Sequence, residues 1–481
     1  MQLMLLILSG IVSSLSPVQV PIGPPRIAMP DLVRSWSWLD RSLADEDMDL
    51  DERRQMSRRL DDMTVLFFRN DIGGVARTMD AMALKMELAA EPADQHRAAA
   101  ALLISLRDVD GQPQLQARWR YRPPVLKTAV PLILEATTRN GVAARINMIL
   151  KSEGDGWVLD LDESDFSSLP SEDTMTLNLV LVDGVRIPQG RWERTSVPFS
   201  ESRSANFRAL ESIDSSAARE TFRSRNARLR DRIGELDITG HVLDRNQLRD
   251  ELAMELAALQ RGQDPYVNRP GDTWYMIKEG SVEMPVRIYV PEEAVQSDRP
   301  LPLLIALHGA GGNEHFFLDG CGDGMIRSLA DQHGMIVACP STYMLASSHE
   351  PLHVLLDTIG SRYSIDQDRV FLLGHSLGGM TAMALVAGQG DVADGVVAIA
   401  GGAPFPTHDR IPPVLAYAAE RDFIVSGDMI ESSAQAARDA GAPVTPRRPD
   451  GTGHLTIVMD VLPESIDWLM SLEADSAAST P

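Results

Sequence analysis

A serine hydroxyl is a weak nucleophile at neutral pH and becomes useful beside a base that is itself oriented by a carboxylate. The stretch Gly374-His-Ser-Leu-Gly-Gly379 offers a serine in a setting that suits such chemistry. Arg369-Val-Phe-Leu-Leu373 before it reads as a buried strand, and Met380-Thr-Ala-Met-Ala-Leu-Val-Ala387 after it has the composition of a helix. A strand, a sharp turn and a helix would lift Ser376 above a sheet, with Gly374, Gly378 and Gly379 letting strand and helix approach closely. G-x-S-x-G is short enough to arise by chance, and the competing reading is a tight turn without chemistry. The partners decide between them.

Two histidines follow Ser376, His408 and His454. His454 lies in Gly451-Thr-Gly-His-Leu455, after the last expected strand and before a closing helix from Ile457 to Leu469, and is the better base. Pro413-Val-Leu-Ala-Tyr-Ala-Ala419 reads as a buried strand with Glu420-Arg-Asp422 at its carboxyl end; Asp422 is the first choice for the acid, with Glu420 and Asp428 as alternatives. Taken singly, such an Asp is more often a helix cap and such a His more often structural. A developing oxyanion needs preorganised backbone donors. The apolar run Pro302-Leu-Leu-Ile-Ala-Leu307 leads into His308-Gly-Ala-Gly-Gly312, and the expected donors are the amides of Leu377 and Ala310. His308 is read as structural.

At "LPLLIALHGAGGN", at "YSIDQDRVFLLGHSLGG", at Asp422 and at His454 the chain resembles the α/β-hydrolase family, over about residues 270 to 472. It is similar in particular to lidless esterases of the polyhydroxyalkanoate depolymerase, feruloyl esterase and phospholipase/carboxylesterase kinds, and also to prolyl-oligopeptidase-type catalytic domains. The resemblance implies the chain order nucleophile, acid, base, which Ser376, Asp422 and His454 satisfy. It implies a fold and a mechanism rather than a substrate.

The elements needed to position these residues are legible. Candidate strands are 273–279, 284–290, 302–307, 335–339, 369–374, 395–400, 413–419 and 443–448, an α/β pattern whose first pair is antiparallel and whose remainder forms a mostly parallel sheet covered on both faces. Active residues then gather at the strands' carboxyl ends. The stretch from Ala400 to Pro413 is too short, and too rich in proline, for an autonomous lid domain, and an open cleft suits bulky or polymeric esters.

Composition frames the rest. The chain has 481 residues, 44% of them hydrophobic, enough for two or three domains. Its net charge of −23 argues against nucleic acid or an anionic membrane as partner. MQLMLLILSGIVSSLS has the length of a signal-peptide core rather than a membrane span, which predicts a secreted or periplasmic protein although no Lys or Arg precedes Arg26. Cys321 and Cys339 either pair in an oxidising compartment or remain buried free thiols. No metal-site spacing or phosphate-binding glycine pattern occurs, so no cofactor is expected.

The expected organisation is a signal segment (1–16), a proline-rich linker (17–29), a helical segment (30–96), a small β-sandwich (97–200), a helical connector (201–264), the α/β-hydrolase domain (265–472) and a disordered tail (473–481). Strands such as Gln114 to Tyr121, Ala144 to Leu150 and Thr174 to Leu181, with turns at Asp110-Gly111, Asn140-Gly141 and Asp183-Gly184, carry the sandwich reading. Its role is open between contact with a polymer or protein, restriction of the active-site mouth, and assembly; the helices are read as bracing it against the hydrolase. The expected activity is cleavage of a small or polymeric carboxylic ester by Ser376, His454 and Asp422, with a serine peptidase or a non-catalytic binding module as alternatives.

Overall fold

The computed structural model describes residues 18–44, 48–109, 112–153, 156–161, 169, 173–195, 197–214, 216–231, 242–296, 299–388, 392–407 and 411–472. The expected signal segment, the tail, the Asp110-Gly111 turn and His408 lie outside them. Two compact units emerge: one from residues up to Arg34 with Asp80 to Ser196, the other from Ser35 to Met79 with residues from Val197 onward. Residues 30–96, expected as one helical segment, are thus divided between the units, the divisions falling inside the helices Met29–Ala44 and Ile72–Leu88.

The first unit carries one eight-stranded sheet, made of β1 (Val18–Gly23), β2 (Leu102–Val109), β3 (Gln112–Trp119), β4 (Val130–Thr138), β5 (Gly141–Glu153), β6 (Gly156–Leu161), β7 (Asp173–Leu181) and β8 (Arg186–Arg194). Their order is β2-β3-β1-β6-β5-β4-β7-β8. Strand β1 corrects the linker reading: the alternation Val18, Val20, Ile22 outweighs the prolines, and the segment pairs with β3 on one side and β6 on the other. Along β5, Ala144, Ile146, Met148 and Leu150 are buried while Arg145, Asn147 and Ile149 are exposed, the period of a sheet with one face on a core. The expected small sandwich takes the form of a single sheet that folds round until its end strands meet, with the Ile104 N–H of β2 donating 2.8 Å to Gln189 Oε1 of β8. A buried ion pair, Arg120 with Asp80, lies in the same unit, and Tyr121 Oη donates 2.6 Å to Asp80.

The second unit is built on β9 (Gly271–Glu279), β10 (Val282–Val290), β11 (Leu301–Leu307), β12 (Ile336–Pro340), β13 (Ile365–His375), β14 (Gly395–Ile399), β15 (Val414–Tyr417) and β16 (Val444–Arg447), in the order β9-β10-β12-β11-β13-β14-β15-β16. Strand β10 is antiparallel to β9 and β12, and the others run parallel. All eight strands match those read from the sequence, and the sheet is the mostly parallel α/β-hydrolase form. Every residue of β11 is buried, because helices cover both faces. Leu303, Ile305, Leu307, Leu372 and Val396 pack into one core; Leu304, Ala306, Phe371, Leu373 and Val397 pack into the other. The helices Phe199–Leu210, Ala217–Asn226 and Arg245–Gln260 form a satellite core around Phe222, Leu252 and Tyr266. Arg225 ties it to β9, donating 3.0 Å to the Trp274 carbonyl.

Helix Leu50–Phe68 belongs to this unit as well. A capping box starts it: Asp49 Oδ1 accepts the Asp51 and Glu52 amides at 2.9 Å each, and Glu52 Oε2 accepts the Asp49 amide at 3.0 Å. Its buried residues Met56, Ser57, Leu60, Asp61 and Met63 follow helical spacing, so two polar side chains sit in the apolar stripe.

Candidate catalytic site

Ser376 stands between β13 and the helix Leu377–Gly388 with φ of +53°, in the left-handed region that non-glycine residues seldom occupy. The turn admits no side chain at its flanks. A Cβ on Gly374 would lie 2.2 Å from the Gly378 carbonyl carbon, and one on Gly378 would lie 2.0 Å from the Leu307 carbonyl oxygen of β11. The Ser376 amide is fixed by the Ile399 carbonyl of β14 at 2.8 Å. Strand, turn and helix thus hold the hydroxyl at the carboxyl end of the sheet, half-exposed.

The structure brings Ser376, His454 and Asp422 together. Ser376 Oγ lies 3.1 Å from His454 Nε2, and His454 Nδ1 lies 2.7 Å from Asp422 Oδ2. An ionised carboxylate only accepts, so Nδ1 carries the ring proton and Nε2 is left to accept from the serine. The Asp422 side chain is fully buried, and its second oxygen accepts the Ile424 and Val425 amides at 2.8 Å each. The alternative acids are engaged elsewhere. Glu420 receives Arg54 Nε at 3.0 and 3.1 Å and the Gly451 amide at 2.6 Å, and the Arg54 guanidinium holds its carboxyl below the usual range. Asp428 pairs with Arg448 at 2.6 Å.

The glycine-rich loop after β11 lies against Ser376, with the Cβ position of Gly309 3.3 Å from Ser376 Cβ. Among the described residues neither the Ala310 nor the Leu377 amide has a hydrogen-bond acceptor, whereas the Gly311 amide donates 2.7 Å to Tyr343 Oη. His308 is buried and neutral: its Nδ1 donates to the Gly309 carbonyl at 2.8 Å, its Nε2 accepts the Thr342 amide at 3.1 Å, and burial lowers its basicity. It braces the loop, away from the proton path.

Three groups of contacts had no signal in the sequence reading. His375, beside Ser376, is buried and driven down to about 3 by desolvation; its Nε2 donates 2.8 Å to the His454 carbonyl, and its ring stacks on Phe316 at 5.7 Å. Helix Leu50–Phe68 supplies the second: Asp61 Oδ1 accepts the His454 amide at 3.0 Å, while Ser57 Oγ donates to the Gly451 carbonyl at 2.8 Å and lies 2.8 Å from Thr456 Oγ1. Phe67 of the same helix is the third, its ring edge 2.9 Å from where a Cβ on Gly311 would stand. Asp61 and Asp62 are adjacent and identical in type, yet only Asp61 is buried, which a helix of unknown orientation cannot reveal.

Cys321 and Cys339 are both buried free thiols, and burial raises both. Among the described residues no group of three or more His, Cys, Asp or Glu side chains has a metal-holding arrangement, and no helix is long and apolar enough to cross a membrane.

No protein-family profile and no curated protein matches the chain. Solved structures similar to it include a ferulic acid esterase (16% identity, TM-score 0.37, covering 42% of this chain and 98% of that one). An S-formylglutathione hydrolase from Staphylococcus aureus matches at 16% identity and TM-score 0.34, covering 42% and 99%. A thermostable esterase matches at 15% and 0.38, covering 77% and 90%. The sheet order and the left-handed turn at Ser376 define the fold without them.

Proposed function

We propose that the chain is a secreted or periplasmic serine hydrolase that cleaves carboxylic esters through an acyl-enzyme intermediate. What carries the reading is the pair of hydrogen bonds at His454, 3.1 Å to Ser376 and 2.7 Å to Asp422, on a serine held at left-handed φ. Ser376 Oγ attacks the acyl carbon as its proton passes to His454 Nε2; the Leu377 and Ala310 amides receive the oxyanion. His454 then protonates the leaving alcohol, and a water activated by the same imidazole releases the acid and returns the proton to Ser376. Asp422 keeps the ring in the productive tautomer and stabilises its cation.

Exposed Tyr343 and Phe423, on the glycine loop's partner helix and just after the acid, favour an ester with apolar groups in an open cleft. Export is proposed on the apolar N-terminal stretch, and a polymer or protein contact through the N-terminal half of the chain is part of the same proposal. The test is a panel of p-nitrophenyl esters of increasing chain length, feruloyl esters and peptide anilides, run beside Ser376→Ala. Turnover that depends on Ser376 and favours esters supports the proposal; hydrolysis unchanged in Ser376→Ala would overturn it.

A further inference from the structure

The base of a triad must be held to within a fraction of an ångström, yet His454 sits on a loop of low intrinsic order. Gly451-Thr-Gly precedes it, with Gly451 at φ of +78°, and no strand pairing extends to His454. A backbone bond, from the Arg421 amide to the Thr452 carbonyl at 3.1 Å, holds the loop before His454; at His454 itself the contacts come from side chains. The His454 peptide is gripped at both polar atoms: its carbonyl accepts from His375 at 2.8 Å, and its N–H donates to Asp61 at 3.0 Å. The other Asp61 oxygen faces the Phe423 amide at 3.4 Å, one residue beyond the acid. One buried carboxylate therefore touches both the base loop and the acid loop, from a helix nearly four hundred residues earlier in the chain.

We infer that Asp61 is a positioning residue of the triad: its ionised carboxylate holds the backbone of the acid and base loops so that His454 meets Ser376 and Asp422 together. The inference rests on the ester-hydrolase reading of that site. A carboxylate is required because it accepts at both oxygens; a protonated Asp61 turns one of them into a donor facing an N–H, and one arm of the clamp is lost.

The charged and titratable groups that face Asp61 are Asp422 and His454 on the two loops; on its own helix Arg54 is taken by Glu420. Desolvation, reinforced by Asp422, pushes the Asp61 carboxyl up to about 6. The clamp is therefore complete above that pH and opens below it. His375 stays neutral throughout this range, so it adds no step.

Phosphonylation by a fluorophosphonate reads the triad without a known substrate: Ser376 Oγ bonds to phosphorus, fluoride leaves, and the serine proton passes to His454. Its second-order rate would be measured from about pH 4.5 to 8 in the full chain, with circular dichroism at each pH to confirm folding. Protonation of Asp61 opens the clamp, so the wild-type rate should carry an acid fall that begins near pH 6. Asp61→Asn should lose the part of the acid fall that belongs to Asp61, giving a shallower profile, and lower the plateau by about three- to thirtyfold. Asp62→Asn, next to it and exposed, should match the wild type. Should Asp61→Asn fail to fold, Asp61→Glu keeps the charge on a longer arm and should retain the steep slope with a lowered plateau.

Identical slopes and plateaus in the wild type and Asp61→Asn, or a wild-type plateau in Asp61→Glu, would overturn the positioning role. A wild type that never labels would overturn the hydrolase reading, and the inference with it. The two failures are distinct: in the first every protein labels, in the second the wild type does not.

Discussion

Residues 374–379 and residues 451–454 each present one side chain of the proposed triad from a glycine-rich turn, but they are held by different means. The serine turn is fixed by neighbours close in sequence or on adjacent strands of the same sheet: Gly374 against Gly378, Gly378 against Leu307, the Ser376 amide on Ile399. The histidine loop has a backbone bond, Arg421 N–H to the Thr452 carbonyl, and is held chiefly by side chains from Asp61, Ser57 and His375 and, through Glu420, from Arg54. Backbone packing makes the first rigid and intolerant of any added atom. Polar contacts from a distant helix make the second adjustable, in position and with pH.

The comparison breaks most sharply at Ser376 itself. Ser376→Ala should abolish fluorophosphonate labelling and lower ester turnover by about 10⁴-fold or more, while the unfolding free energy changes by no more than about 0.5 kcal/mol. Urea titration beside the activity assay checks both. Parallel loss of activity and stability would mean that the turn, rather than the hydroxyl, is what the substitution damages.

Gly378→Ala probes the rigidity of the same turn. Its Cβ would stand 2.0 Å from the Leu307 carbonyl oxygen, a backbone atom in a strand buried on both faces. Helix or strand must move, so a loss of about 2 to 4 kcal/mol in urea unfolding is expected, with activity falling alongside. An alanine accommodated without cost would show that the strand and helix are less tightly apposed than their geometry implies.

The difference between the two turns also explains what could be read in advance. The eight strands of the second sheet, the elbow at Ser376 and the order Ser376, Asp422, His454 were legible because each is encoded locally, by apolar runs and by glycines at fixed spacing. Strand β1 was hidden by its prolines, although Val18, Val20 and Ile22 alternate as a strand requires. Asp61 was invisible for a different reason. Helical periodicity marks Met56, Leu60 and Met63 as a buried stripe, but a polar residue in that stripe has meaning only once the opposing surface is known, and that surface is made by residues 422 to 454.

A third expectation sharpens the pH side of the comparison. Asp61 ionises near 6 in the folded protein against 3.8 for an exposed aspartate, so folding favours its neutral form. Its stabilising share is complete below pH 3.8 and is lost as pH rises toward 6. Asp61→Asn lacks this titration, so its stability relative to the wild type should rise across that window and stay level above it, whatever fixed offset the lost acceptor introduces. Chemical denaturation at several pH values measures the difference; a pH-independent offset would mean that Asp61 is no more acid-shy folded than unfolded.

The smallest effect is expected at Ser57. Its hydroxyl donates to the Gly451 carbonyl and contacts Thr456 Oγ1, in a buried site that shapes the loop three residues before His454. Ser57→Ala leaves one carbonyl with a missing donor, for about 1 kcal/mol of stability, and the loop keeps its Asp61 and His375 contacts. Turnover should therefore fall by less than about fivefold, with KM unchanged, because the imidazole is still gripped on both sides of its own peptide. A loss as large as that of Asp61→Asn would shift the weight of the argument: the loop would then be set by its start at Gly451 rather than by the peptide of the base, and the clamp around His454 would be a consequence of that placement instead of its cause.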